Sequence, residues 1–219
     1  GKMYANEWAW IYNPYAKEEQ EKTSWFHFAD DGRMDTGWFL DEKDGGWYYL
    51  QKISDGSQGR MQKGWLNRGG TWYYLTGSGA MAEGWGNIGG TWYYFQPGNG
   101  AMQVGWVKDG NIWYYMNGSG AMQTGWLNRG GTWYYLTGSG AMATGWVQVG
   151  STWYYMNESG VMQADTWIGD NYVDGSGAWI PGKAKTQTGW VKSGNRWWYS
   201  HSDGSYTTND WEVINGSWY

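Results

Sequence analysis

The sequence predicts an all-β protein built as a stack of β-hairpins, and three observations carry that prediction. The stretch Gly64–Ala82, GWLNRGGTWYYLTGSGAMA, returns letter for letter at Gly125–Ala143. On either side the same skeleton recurs with changed lettering: Gly-Trp, a short Gly-containing turn, Trp-Tyr-Tyr, a second Gly-rich turn, then Met. The composition has 22 Trp, 19 Tyr and 38 Gly against 4 Phe and 3 Pro, so the apolar surface is aromatic rather than aliphatic. A repeat of about 20 residues marks an array in which each unit packs on its neighbours instead of sharing one core.

We read residues 1–219 as one array of about ten full or partial repeats. Repeats are irregular over 1–61, regular over 62–164 and irregular again over 165–219. In the first region Trp8 takes the Gly-Trp position and Trp25 is expected as its partner. The gap between them holds Pro14 and the charged run Lys17–Lys22, read as an exposed turn. Met34 and Gly37-Trp38 restore the pattern, Trp47-Tyr48-Tyr49 follows, and Ile53–Arg60 loops out before Met61.

In the regular region the Gly-Trp residues are Trp65, Trp85, Trp106, Trp126 and Trp146, at steps of 20 or 21. The second tryptophans Trp72, Trp92, Trp113, Trp133 and Trp153 each follow seven residues later, and Met81, Met102, Met122, Met142 and Met162 close the units. Beyond them Trp167 lacks its Gly, Val173–Lys185 is Gly-rich, and the rhythm resumes at Trp190 and Trp197-Trp198-Tyr199. Gly1-Lys2-Met3 reads as the tail of a repeat and Trp218-Tyr219 as the middle of one, so a fragment or processed form is expected.

Each unit reads as a hairpin. Asp109-Gly110 between two apolar runs predicts a two-residue turn. Gly69, Gly89, Gly130, Gly150 and Gly194 are placed at the same second turn position. This register sets Trp106 directly opposite Trp113. Alternation then gives Trp106, Trp113 and Tyr115 one face, which borders the next unit. Tyr73, Leu75 and Leu66 share the other face, assigned to the interior. A groove walled by two Trp, a Met and a Tyr of the next unit suits a quaternary ammonium, held by cation–π attraction and a soft thioether floor.

The pattern Gly-Trp…Gly-x-Trp-Tyr-Tyr…Gly-x-Met-x-x-Gly-Trp resembles the choline-binding repeats of surface proteins from pneumococcus, related bacteria and their phages. The resemblance covers nearly the whole chain. It implies a left-handed superhelical solenoid of β-hairpins that binds phosphocholine on teichoic and lipoteichoic acids. Carried onto this sequence, it implies sites at Trp65, Trp72, Met81 with Tyr94; Trp85, Trp92, Met102 with Tyr115; Trp106, Trp113, Met122 with Tyr135; and Trp126, Trp133, Met142 with Tyr155. Trp38, Trp47 and Met61 with Tyr74 form a further one, and Trp146, Trp153 and Met162 would draw on Tyr172. Trp190, Trp197 and Tyr206, and Trp8 with Trp25, depart from the regular spacing.

Packing alone is the competing reading of these rings, and the preferred one for the first Tyr of each pair, such as Tyr73 and Tyr114. Net charge is -5 with no basic run, which argues against nucleic acid and anionic membrane as partners. There is no Cys, and no apolar run long enough to span a membrane. His27 and His201 stand alone, so neither a metal site nor a Ser-His-Asp arrangement is expected, and no cofactor is.

The resulting expectation is a non-catalytic module that attaches a protein to the bacterial cell surface. Its ligand would be choline or phosphocholine. Three alternatives accompany it. One is a glucan-binding module resembling the repeats of streptococcal glucosyltransferases. Another is an adhesin contacting a host or bacterial protein through Tyr4–Phe28 or Val173–Lys185. The last is an enzyme whose catalytic part lies outside this chain.

Overall fold

The structure is a computed structural model that describes residues 3–16, 22–185, 188–202, 204–207, 211 and 213–219. Most of the charged run at Lys17–Lys22 lies outside them. Among the described residues every regular element is a strand. The chain divides into two compact units, Gly1–Leu127 with Leu136–Met142, and Asn128–Tyr135 with Ala143–Tyr219.

The first unit holds five antiparallel hairpins: β1 (Glu7–Tyr12) with β2 (Thr23–Phe28), β3 (Gly37–Asp41) with β4 (Gly46–Leu50), β5 (Gly64–Arg68) with β6 (Thr71–Leu75), β7 (Gly84–Ile88) with β8 (Thr91–Phe95), and β9 (Gly105–Asp109) with β10 (Ile112–Met116). The residues of β11 (Gly125–Arg129) and β12 (Thr132–Leu136) are divided between the units. The second unit holds β13 (Gly145–Val149) with β14 (Thr152–Met156), and a three-stranded sheet of β15 (Thr166–Ile168), β16 (Asn171–Val173) and β17 (Trp179–Ile180). It also holds β18 (Gly189–Ser193) with β19 (Arg196–Ser200), and β20 (Val213–Ile214) with β21 (Ser217–Trp218).

The register corrects the sequence reading by one turn residue. Asp109 pairs with Ile112, so Gly110-Asn111 and not Asp109-Gly110 forms the turn, and Trp106 faces Tyr115 while Trp113 faces Lys108. The turn glycine therefore stands first, not second. Gly69 and Gly70 take φ +62° and +86°, the signs of a type I′ turn; in the β9–β10 turn Gly110 takes +58°. Faces survive this correction. The shift moves the cross-strand partner by two positions, and side chains alternate with period two. Trp106, Trp113 and Tyr115 still share one face.

The core repeats at one position, the last residue of the second strand, in every hairpin from β3–β4 to β15–β16. Leu50, Leu75, Phe95 and Met116 are 0–1 % exposed in the first unit, and Met156 and Val173 are fully buried in the second. In the first unit Tyr94 packs into Val107 and Met116 of the following hairpin, and Tyr74 stacks on Phe95 with ring centroids 6.4 Å apart. The Trp-bearing face of one hairpin is thus covered by the opposite face of the next.

Each closing Met stitches two hairpins. Met81 bridges to Leu75 of its own hairpin and donates its amide to the Trp47 carbonyl of the preceding one at 2.7 Å. Met102 does the same to Trp72, Met122 to Trp92 and Met142 to Trp113, and in the second unit Met162 to Trp133, each at 2.8 Å. The methionine side chain then lies where the glycine of the following turn lacks a Cβ: Met102 against Gly120, Met162 against Gly177.

The β3–β4 hairpin has a longer turn, and Asp44 within it accepts the Tyr48 hydroxyl at 2.6 Å. Burial, with this bond and the Asp44 charge, pushes the Tyr48 phenol up to about 12. Its folded value lies above the unfolded one, so this stabilisation is complete below pH 10 and is lost between about 10 and 12. Denaturation midpoints of wild type and Tyr48→Phe are therefore expected to converge as pH rises through that window. A constant gap would contradict the assignment.

Candidate functional site

The sequence places a Gly-Trp residue near the start of each first strand and a second Trp near the start of the second strand. Because the two lie diagonally across the hairpin on one face, their rings meet edge to face. Trp65 and Trp72 have centroids 6.3 Å apart at 84°, Trp85 and Trp92 6.3 Å at 81°, and Trp106 and Trp113 6.4 Å at 87°. The second ring of each pair stays open to solvent: Trp72 and Trp92 are each 44 % exposed. Each pair forms two walls of a corner.

The third wall differs from the expected one. Trp65 meets Tyr93 of the next hairpin at 4.8 Å, Trp85 meets Tyr114 at 4.6 Å, and Trp38 meets Tyr73 at 4.9 Å. These are the first tyrosines, which the sequence reading assigned to packing. The second tyrosines stay with their own hairpins: Tyr74 on Trp65, Tyr94 on Trp85, Tyr115 on Trp106, Tyr155 on Trp146, at 5.1–5.2 Å. Tyr94 and Tyr115 are buried, 7 % and 8 % exposed. Alternation explains the exchange. A groove above the Trp face of one hairpin is closed by the opposite face of the next, and only the first Tyr lies on that face.

The methionines shift by one unit for a related reason. The stitch from Met81 runs to Trp47, that from Met102 to Trp72 and that from Met122 to Trp92. By backbone contact Met81 goes with Trp47, Met102 with Trp72 and Met122 with Trp92, while ring contacts bring together Trp65, Trp72 and Tyr93, and Trp85, Trp92 and Tyr114. Trp113 has Met142 in the first unit, and Trp133 has Met162 in the second. The expected partners Tyr135 and Tyr155 fall in the second unit, and Trp106, Trp126 and Met142 in the first.

Two carboxylates tie indoles to the next hairpin. The Trp85 indole N–H donates to Asp109 at 2.9 Å and that of Trp8 to Asp41 at 2.8 Å, from the last residue of the next hairpin's first strand in both cases. Burial opposes ionisation of Asp41, but the Trp8 bond, the Lys43 amide and nearby positive charge hold its carboxyl below the ordinary value. Asp109 in turn helps burial raise the Tyr94 phenol. The negative charge of Asp109 beside Trp85 favours a cation there.

At the irregular ends the structure rearranges the expected pairs. Trp25 lies opposite Trp10, not Trp8, with rings 5.4 Å apart. Trp10, Trp25 and Met61 line a cavity of about 290 Å³ with Arg60 and Lys63, whereas Trp8 packs on His27, Phe39 and Tyr48. Trp190 finds Tyr219 at 4.8 Å, a partner the sequence reading missed. Trp197 is 59 % exposed, and Tyr206 bridges to Ser200 at the Met position.

Tyr172 pairs with Trp167 instead of serving Trp146. Lysines of the same chain cover this pair: Lys183 Nζ lies 3.2 Å from the Tyr172 centroid and Lys185 Nζ 5.3 Å from that of Trp167. Lys183→Ala is expected to lower the second unit's denaturation midpoint slightly, read by denaturant titration. An unchanged midpoint would show the contact to be idle.

Repeated hairpins bearing paired Trp, a Tyr from the next hairpin and a stitching Met define a module of aromatic grooves. The pattern of a putative cell wall binding repeat matches residues 36–52, 63–81, 144–162 and 188–206, and that of a choline-binding repeat matches 82–124 and 103–145. Choline binding protein F from Streptococcus pneumoniae is similar at 40% identity over 72% of this chain and 54% of its own, with a TM-score of 0.67. The choline-binding domain of CbpL from the same organism shows 30% identity over 73% of this chain and 84% of its own, TM-score 0.55. The modular autolysin LytC, also from S. pneumoniae, shows 28% identity over 98% of this chain and 46% of its own, TM-score 0.58. The chain thus spans little more than half the length of choline binding protein F. No curated protein sequence matches it. The chain belongs to the choline-binding repeat family.

Proposed function

We propose that the chain binds the trimethylammonium group of choline and phosphocholine in the grooves between successive hairpins, and so attaches a protein to bacterial teichoic and lipoteichoic acids at the cell surface. The observation that carries this reading is the near-perpendicular Trp pair closed by a Tyr of the next hairpin, found at Trp65 and Trp72 with Tyr93 at 4.8 Å and again at Trp85 and Trp92 with Tyr114 at 4.6 Å. A quaternary ammonium offers no hydrogen to donate and is weakly hydrated, so ring faces suit it better than polar groups do. One groove binds weakly. Several on one chain, facing a polymer that repeats its choline, bind by effective concentration.

We assign the chain binding and no catalysis. His27 is buried against Phe39 and engaged by Asp35 at 2.7 Å, away from the Trp pairs. Retention on a quaternary-amine resin with release by free choline is the expected result, with a rise in melting temperature at millimolar choline. Release by dextran and not choline would replace this reading with the glucan one.

A further inference from the structure

One groove is built differently from the rest. In Asp174-Gly175-Ser176-Gly177-Ala178-Trp179 the chain carries Trp where Asn117–Met122 and Asn157–Met162 carry Met. The backbone confirms the equivalence: Val173 pairs with Trp179 as Met116 bridges to Met122 and Met156 to Met162. The β15–β16 hairpin is also two residues shorter in each strand than β13–β14. Ile168 pairs with Asn171 as Leu66 does with Tyr73, so Asn171 holds the first-Tyr position.

Both replacements face one cavity. Trp146, Trp153, Trp179 and Asn171 line about 390 Å³ of space, all within the second unit. Trp179 stands 6.4 Å from Trp146 at 70°, close to the spacing and angle that the second Trp holds in the regular corners. Three indoles therefore surround the space that two indoles and a tyrosine surround elsewhere, and Asn171 brings a carboxamide in place of a phenol ring.

We infer that Trp146, Trp153, Trp179 and Asn171 form a specialised site that prefers phosphocholine to choline and binds it more tightly than the regular grooves do. This rests on the quaternary-ammonium reading above. The trimethylammonium sits among the three indoles, the strongest cation–π partners among side chains. The phosphate at the other end of the ligand accepts a hydrogen bond from the Asn171 amide, a charge-assisted bond that free choline lacks.

The test is calorimetric titration of the whole chain with choline and with phosphocholine, for wild type, Trp179→Met and Asn171→Tyr. Both variants install residues that other repeats carry at the same positions, so folding is expected to survive, and circular dichroism checks it. Wild type is expected to show one class of sites about fivefold to tenfold tighter for phosphocholine than the remainder. Trp179→Met merges that class with the others, and Asn171→Tyr removes the preference for phosphocholine while choline binding persists. Wild type without a tight class, or a tight class unchanged by Trp179→Met, overturns the inference while leaving the general reading intact. Absence of choline binding at every groove overturns the general reading itself.

Discussion

Trp92→Ala is expected to weaken choline binding at one groove and leave the chain folded. Trp92 is 44 % exposed and its ring touches Trp85 at 6.3 Å, so truncation strips a groove wall at small cost to packing. Losing one ring of a partly exposed cation–π corner costs about 1 kcal/mol, or roughly fivefold at that groove. Retention on a polymer bearing many cholines falls further, because avidity multiplies the loss. Calorimetric titration checks this. Tyr94→Phe is the informative companion: Tyr94 is 7 % exposed and packs on Val107 and Met116, so the number of bound cholines is expected to stay the same. If Tyr94→Phe weakens a groove and Trp92→Ala does not, the grouping of groove walls is wrong.

Gly120→Ala is expected to give a large loss of stability for a small change. Gly120 has φ +82°, and a Cβ there would stand 2.7 Å from the Met102 Cε and 2.9 Å from its Cγ. The left-handed backbone costs about 1–2 kcal/mol for a residue with a Cβ, and displacing the thioether adds to it. A total of about 2–3 kcal/mol lowers the melting temperature by roughly 4–12 °C at this chain length. Gly118→Ala provides the control, because a Cβ at Gly118 meets nothing within 4 Å. Its effect is expected to be neutral or slightly stabilising. Since Met102 also holds the Trp72 carbonyl, Gly120→Ala is further expected to weaken choline binding at Trp65 and Trp72. Equal melting temperatures for the two variants would remove the methionine–glycine interlock from the account.

Much of this was legible because the governing rules are local. The seven-residue Trp–Trp spacing, the turn glycines and period-two alternation place both tryptophans on one face. The turn was misplaced by one residue because Asp-Gly is a good turn in isolation. In this array Gly leads the turn, as Gly69-Gly70 already hints. The sequence reading pairs Trp85 with Tyr115, whereas Tyr114 packs on it; alternation accounts for the difference, because the face over Trp85 is the opposite face of the next hairpin, which carries Tyr114.

The methionine assignment had no local signal. Its partner is fixed by an amide that crosses to the preceding hairpin, and that bond depends on how hairpins stack. The irregular ends failed for a different reason. Trp10, Trp179 and Tyr219 make their ring contacts in units whose lettering has drifted, and Trp179 is visible only once GSGAW is laid against GSGAM.

A crystal structure of the chain grown with saturating choline tests the central claim most directly. The account predicts choline nitrogen within about 6 Å of the ring centroids of Trp85, Trp92 and Tyr114, with Met122 alongside, and the same arrangement at Trp65, Trp72, Tyr93 and Met102. Grooves left empty at saturation, or choline seated against Tyr94 or Tyr115 instead, would contradict it.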